Sequence, residues 1–151
     1  MVFQFSNFQR FDSPLIYQGM EFHTVENFYM AMKTLDVSNR RRISLMSPAD
    51  AKKAGKKLTL REDWDTVKER VMRYALDHKF QAGTSHAAKL VLTEGEIVEH
   101  NTWHDNFWGT CWCQLFSGPA PYGARYTCRG GKNLLGKMLM EIRNNLIQEQ
   151  Q

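Results

Sequence analysis

Apolar residues recur at intervals of three and four through most of this chain, and at intervals of two only in short pieces, so helices dominate the expected fold. The short pieces lie near the beginning. Residues 3–8 read as extended, because Phe3, Phe5 and Asn7 alternate with other residues, and PLIYQGMEFH reads as a hairpin. Its apolar arms, residues 15–17 and 20–22, flank Gln18 and Gly19, and glycine takes the positive φ that a tight turn requires. Thr24 is a good N-cap for the first helix, whose buried stripe is Val25, Phe28 or Tyr29, Met32 and Leu35. Glu26, Met30 and Lys33 form a neighbouring stripe, with the glutamate in the first turn, where the helix dipole favours a carboxylate.

Further helices are predicted at residues 39–46 and 48–57. The second opens on SPAD, with Ser47 as N-cap, Pro48 at the first position and Asp50 at the third. Residues 62–81 form a longer helix, with Trp64 near its start and Val67, Val71, Tyr74 or Ala75, and His78 on one face. Thr84 or Ser85 caps a short helix through Thr93, and EIVEH is the best strand candidate of the second half. The stretch SGPAPYG is irregular, and the final helix, residues 132–148, carries Leu134, Leu135, Met138, Leu139, Ile142 and Leu146 on its apolar face. The expected architecture is mainly α: one compact domain over residues 1–148, with an N-terminal hairpin, a few short strands and a tail at 149–151.

One stretch fits neither period. NTWHDNFWG, residues 101–109, crowds Trp103, Phe107 and Trp108 around Asp105, and large aromatics in a loop form either the wall of a pocket or a lid packed on the core with Asp105 capping a turn.

Composition narrows the class. At 151 residues and 42% hydrophobic content the chain can bury a substantial core, and no run of about 18 apolar residues marks a membrane span. MVFQFSNFQ lacks the basic and apolar regions of a signal peptide, and three cysteines (Cys111, Cys113, Cys128) fit a reducing compartment, so a cytoplasmic protein is expected. The net charge of +4 is unevenly placed. Residues 40–57 hold seven basic residues (Arg40, Arg41, Arg42, Lys52, Lys53, Lys56, Lys57) against Asp50, a local +6 that leaves the remainder at −2. Such a patch is either a solvated helix face or a surface for the phosphates of a nucleic acid or nucleotide.

Three motifs carry little weight. GKNLLGK at residues 131–137 has the glycines and lysine of a phosphate loop, but Met138 replaces the magnesium-binding hydroxyl and the leucines belong to a helix face; the pattern reads as a glycine-started helix whose amides are open to an anion. Cys111 and Cys113 with Cys128 and His100 or His104 offer zinc-type ligands, but no second matched pair, so no metal is expected. A thiol nucleophile among the cysteines has no assignable base.

FSNF at residues 5–8, TVENFYMAMK at 24–33, SPADAKKAGKK at 47–57, EDWD at 62–65, KF at 79–80, EIVE at 96–99, HDNFWG at 104–109 and GKNLLGKMLMEIR at 131–143 follow one another in the order of the NADAR or YbiA-like family, which the chain resembles over nearly its whole length. The resemblance implies an N-glycosidase that hydrolyses a ribose-to-base bond without a cofactor. Its substrate would be ADP-ribose attached to guanine in nucleic acid or, alternatively, a ribosylated intermediate of riboflavin synthesis. By position it implies Glu26 and Asp105 as site carboxylates, Trp64 and Trp108 as site tryptophans, and Ser6, Asn7, Lys33 and Asn133 near the ligand.

The chemistry is coherent. Bond cleavage builds positive charge on the ribose, which a carboxylate stabilises, a second carboxylate activates water, and tryptophan faces stack on a base. A non-catalytic ADP-ribose-binding module is the remaining alternative, and two carboxylates beside an anionic ligand argue against it. Two departures from the family pattern leave the substrate open: Asn27 stands where a histidine or similar residue often follows the glutamate, and the stretch from Trp112 to Gly130 is longer than in compact members.

Overall fold

The structure, a computed structural model, describes residues 5–112, 128 and 130–151. Among them are six helices and two sheets of two strands each. The backbone groups into two compact units, one reaching to Ala88 and the other beginning at Lys89.

The first unit opens with turns over residues 5–9, not the extended piece expected there, because Gln9 N donates to Ser6 O and closes the chain on itself. The hairpin follows as β1 (Arg10–Tyr17) and β2 (Met20–Thr24), with Leu15 opposite Phe22 and Tyr17 opposite Met20. Gln18 and Gly19 both have positive φ, 50° and 73°, the turn geometry that matches strand twist in a two-residue loop.

Helix α1 (Val25–Ala31) is buried at every position. Its cap is the expected one, Thr24 Oγ1 accepting from Asn27 N at 3.0 Å. It ends earlier than the stripe predicts: Met32 and Lys33 form a turn, and Leu35 is 64% exposed. Asn27 explains its own presence after the glutamate. Its Nδ2 donates to Ile43 O and Met46 O at 2.9 and 2.8 Å, tying α1 to the end of α2 (Val37–Ser44) and the turn that follows it.

Helix α2 begins a residue or two before the expected start, because Asp36 accepts from Asn39 N at 2.8 Å and serves as its cap. Helix α3 (Pro48–Lys56) starts as SPAD predicts, with Ser47 Oγ accepting from Asp50 N. Its Gly55 faces Met30 so closely that a β-carbon there would overlap the methionine side chain. Helix α4 (Trp64–Lys79) runs two residues short of the expected span at each end, and α5 (Ser85–Val91) is capped by Thr84 Oγ1, which accepts from Ala87 N at 3.1 Å.

In the second unit the anticipated strand EIVEH is mostly irregular. Only β3 (His100–Asn101) pairs, parallel to β4 (Thr110–Cys111), and Cys111 bridges Gly130 from the other side. Helix α6 (Leu134–Glu149) extends a residue into the expected tail and buries Leu135, Leu139, Ile142 and Leu146. SGPAPYG and Cys113 lie outside the described residues. Among the described residues no helix is long and apolar enough to cross a membrane.

Candidate active site

Of the candidate residues of the first unit, Glu26 lies on α1 and the others lie close to it in the chain or in contact with it or its neighbours. Glu26 occupies the first turn, only 7% exposed, and its amide donates to Asn7 O at 3.0 Å. That bond ties FSNF to the helix start. Ser6 Oγ accepts from Phe8 N, while Asn7 Nδ2 reaches Met72 Sδ at 3.9 Å and Asn7 Oδ1, buried, accepts no hydrogen bond among the described residues.

Beneath this turn lies Lys79, whose Nζ donates to Ser6 O at 2.8 Å and Phe5 O at 3.4 Å. Burial lowers its pKa to about 7. The sequence offered Lys79 only as half of a two-residue word, because a lysine at the end of a helix ordinarily projects into water.

Lys33 and Trp64 meet across one ring. Trp64 is buried and packs edge-on against Tyr29 at 5.1 Å, and Lys33 Nζ lies 5.5 Å from the centre of the same ring. Burial lowers the Lys33 pKa, and the charge of Glu26 works against that shift, so the carboxylate and the ammonium sense each other. Tyr29 is thus a candidate that spacing alone assigned to the core stripe.

The basic patch loses a member. Arg40 is buried, with Nε donating to Thr34 O and Nη1 to Gln18 Oε1 at 2.8 and 2.9 Å, whereas Arg41, Arg42, Lys53, Lys56 and Lys57 are exposed. Separately, Tyr17, Phe28 and Tyr74 line an open groove with Arg61 and Arg70, and none of the predicted site residues borders it.

In the second unit, Asp105, Trp108 and Asn133 belong to one hydrogen-bonded assembly. Asp105 Oδ1 accepts from Phe107 N and Trp108 N at 3.1 and 2.9 Å, capping the turn that presents the two aromatics, which pack edge-on at 4.8 Å. Trp108 is partly covered and Trp103 is 58% exposed. Asn101, unremarkable in the sequence, organises the loop: its Oδ1 accepts from Trp103 N and Asp105 N, and its Nδ2 donates to Asp105 O.

The start of α6 is not open to an anion as GKNLLGK implied. The amides of Lys132, Asn133, Leu134 and Leu135 donate to the carbonyls of Asn106, Gly109, Phe107 and Trp108. The aromatic loop itself fills the helix N-terminus. Asn133 takes a left-handed conformation with φ 52°, and its side chain holds the irregular EIVE segment, accepting from Glu99 N at 3.0 Å and donating to Ile97 O at 2.9 Å.

A largely helical fold with a buried glutamate on TVEN in one unit and an asparagine-braced aromatic loop on HDNFWG in the other defines a class of small domain, which a family model matches. The NADAR domain model matches residues 2–147, and the chain belongs to this family. It is 36% identical over 146 residues to N-glycosidase YbiA of Escherichia coli strain K12, covering 94% of this chain and 80% of that protein. The NMR structure of E. coli YbiA superposes with a TM-score of 0.72 at 34% identity, covering 97% of this chain and 79% of the other. N-glycosidase Npun_R5314 of Nostoc punctiforme is 32% identical over 148 residues, covering 94% of this chain and 84% of the relative. The chloroplastic riboflavin biosynthesis protein PYRR of Zea mays is 28% identical over 137 residues, which is 82% of this chain and 20% of that one.

Proposed function

We propose that this protein is an N-glycosidase that removes ADP-ribose from guanine in nucleic acid. The observation that carries the reading is Glu26: a carboxylate buried in the first turn of α1, beside a lysine that senses its charge, in a chain similar over 94% of its length to relatives named N-glycosidases. In the reaction, water oxygen bonds to the anomeric carbon of the ribose, the carbon–nitrogen bond breaks, and the proton leaves on the base. Glu26 stabilises the positive ribose ring of the transition state, an interaction much weaker in the ground state. Asp105 is its partner carboxylate, and one of the two activates water. Trp64 and Trp108 provide faces for the base or adenine, Lys33 a charge for the phosphates, and Ser6, Asn7 and Asn133 the backbone positions around the ligand. No metal or cofactor takes part in the reaction.

The exposed cations Arg41, Arg42 and Lys53 support the nucleic-acid substrate, since exposed positive charge attracts phosphates. A ribosylated riboflavin intermediate is the second reading, favoured by the similarity to a riboflavin biosynthesis protein. Mass spectrometry separates them. Wild type and Glu26→Gln are incubated with an oligonucleotide carrying ADP-ribose on guanine and, in parallel, with a ribosylaminopyrimidine. Release of ADP-ribose by wild type, slowed about 10²- to 10⁴-fold in Glu26→Gln, is the expected result. Cleavage of the pyrimidine alone establishes the second reading. Binding of ADP-ribose with cleavage of neither substrate removes the enzymatic reading in favour of a binding module.

A further inference from the structure

His104, Cys111 and Cys128 bring one imidazole nitrogen and two sulfur atoms within 4.8 Å of one another, although 24 positions of sequence separate the first from the last. We infer that these three side chains bind a zinc ion that braces the aromatic loop.

The spacing suits the ion. Zinc takes Cys sulfur at about 2.3 Å and His nitrogen at about 2.0 to 2.1 Å in a tetrahedron, which puts neighbouring nitrogen and sulfur ligands about 3.6 Å apart. His104 Nδ1 stands 3.3 Å from Cys128 Sγ, a few tenths of an ångström short of that spacing, and all three donors lie within 4.8 Å of one another, so shifts of about 1 Å or less close the set on an ion. The donor set also selects the metal, because two thiolates and an imidazole suit zinc and exclude the hard ions calcium and magnesium, which take oxygen.

The surroundings resemble those of thiolate ligands. His104 N donates to Cys111 Sγ at 3.3 Å and Asn106 Nδ2 to Cys128 Sγ at 3.6 Å, hydrogen bonds that strengthen once the sulfurs carry negative charge. The backbone fixes the sulfurs: Cys111 N and O both pair with Gly130, two residues beyond Cys128. His104 holds φ at 70°, a conformation a side-chain-bearing residue seldom adopts, and one that the loop maintains beside Asp105. His100, the other histidine considered with these cysteines, turns instead to Thr110 Oγ1 at 3.2 Å.

Binding would release the thiol protons of Cys111 and Cys128 to solvent and leave the imidazole neutral, with the fourth position of the tetrahedron open to water or a further donor. The ion would link the loop residue His104, β4 and residue 128, so its role is to hold the loop rather than to take part in bond cleavage.

The test uses the full chain purified under reducing conditions without chelator. Elemental analysis should find about one zinc per chain, and after removal of zinc, titration with cobalt(II) should produce the thiolate charge-transfer and tetrahedral absorption bands. His104→Ala, at an exposed position, and Cys128→Ser should each abolish stoichiometric zinc while circular dichroism keeps the helical signal. Asn106→Ala should keep the site but weaken zinc binding about 10- to 100-fold. Wild-type protein with no zinc and no cobalt–thiolate band overturns the inference, as does stoichiometric zinc that survives in both His104→Ala and Cys128→Ser. A disulfide between Cys111 and Cys128 as the stable state in reductant also overturns it.

Discussion

The surroundings of α1 and the junction of the aromatic loop with α6 hold their candidate residues by different forces. Around α1 the work is done by close packing: seven consecutive buried residues, Trp64 against Tyr29, and Met30 pressed on Gly55. At the junction it is done by directed hydrogen bonds, four backbone amides of the α6 start on four loop carbonyls, with the side chains of Asn101, Asp105 and Asn133 bracing the turns. Packing yields by small adjustments of flexible side chains, whereas a hydrogen-bonded backbone has a single register and an unpaired buried group costs roughly 1 to 3 kcal/mol. The same substitution should therefore have different consequences in the two regions.

The largest effect is expected at Gly136. A β-carbon there would overlap Ile97 O and both polar atoms of the Asn133 side chain, displacing the amide that holds EIVE. Gly136→Ala should lose about 3 kcal/mol in denaturant unfolding despite the better helix propensity of alanine, and shrinking a neighbouring side chain should not restore it, because the obstacle includes a backbone carbonyl. Recovery of full stability by any side-chain truncation nearby would place the junction in the same class as α1.

Gly55→Ala is the matching change on α3 and should be milder, about 1 to 2 kcal/mol, since the three nearest atoms all belong to the Met30 side chain and none to backbone. Here a second change should rescue in part: Met30→Val removes the overlapping sulfur, though it keeps the β-carbon, and the double mutant should be more stable than the sum of the single effects by about 1 kcal/mol. Strict additivity would mean that the contact between α1 and α3 is not the source of the loss.

The two regions also differ in how far they could be read in advance. Ser47, Pro48 and Asp50 announce α3 because capping is a local interaction among four residues, and Thr24 announces α1 for the same reason. Gln18 and Gly19 likewise give the hairpin. Leu35 and Arg40 were misread because periodicity cannot tell that α1 stops at Ala31, or that a guanidinium will find Thr34 O and Gln18. EIVEH failed for a non-local reason: its backbone is satisfied in part by Asn133, more than thirty positions away, instead of by a strand. Asp105 and Trp108 stood out as a crowded aromatic loop, but the roles of Glu26, Asp105 and the tryptophans came only through the order of eight motif words; their burial, the bracing by Asn101 and the buried Lys79 depend on contacts that no single stretch encodes.

Lys79 provides the most specific test, because it is buried beside α1 with a charge that burial disfavours. Its folded pKa of about 7 lies below its ordinary value of 10.5, through burial. Between those values the unfolded chain holds more protons than the folded one, so stability rises with pH across the window from about 7 to 10.5 and levels off below it, where both states are protonated. A single group sets a limit of about 1.4 kcal/mol per pH unit. The Ser6 and Phe5 carbonyls that accept from Nζ favour the ammonium, so they act against burial and narrow the window from its lower end without changing that limit. Lys79→Met should remove this component, so the difference in unfolding free energy between variant and wild type should narrow or reverse toward wild type as pH rises from 7.5 to about 9.5. Parallel pH profiles would show that Lys79 stays protonated in both states and that its two carbonyls outweigh its burial.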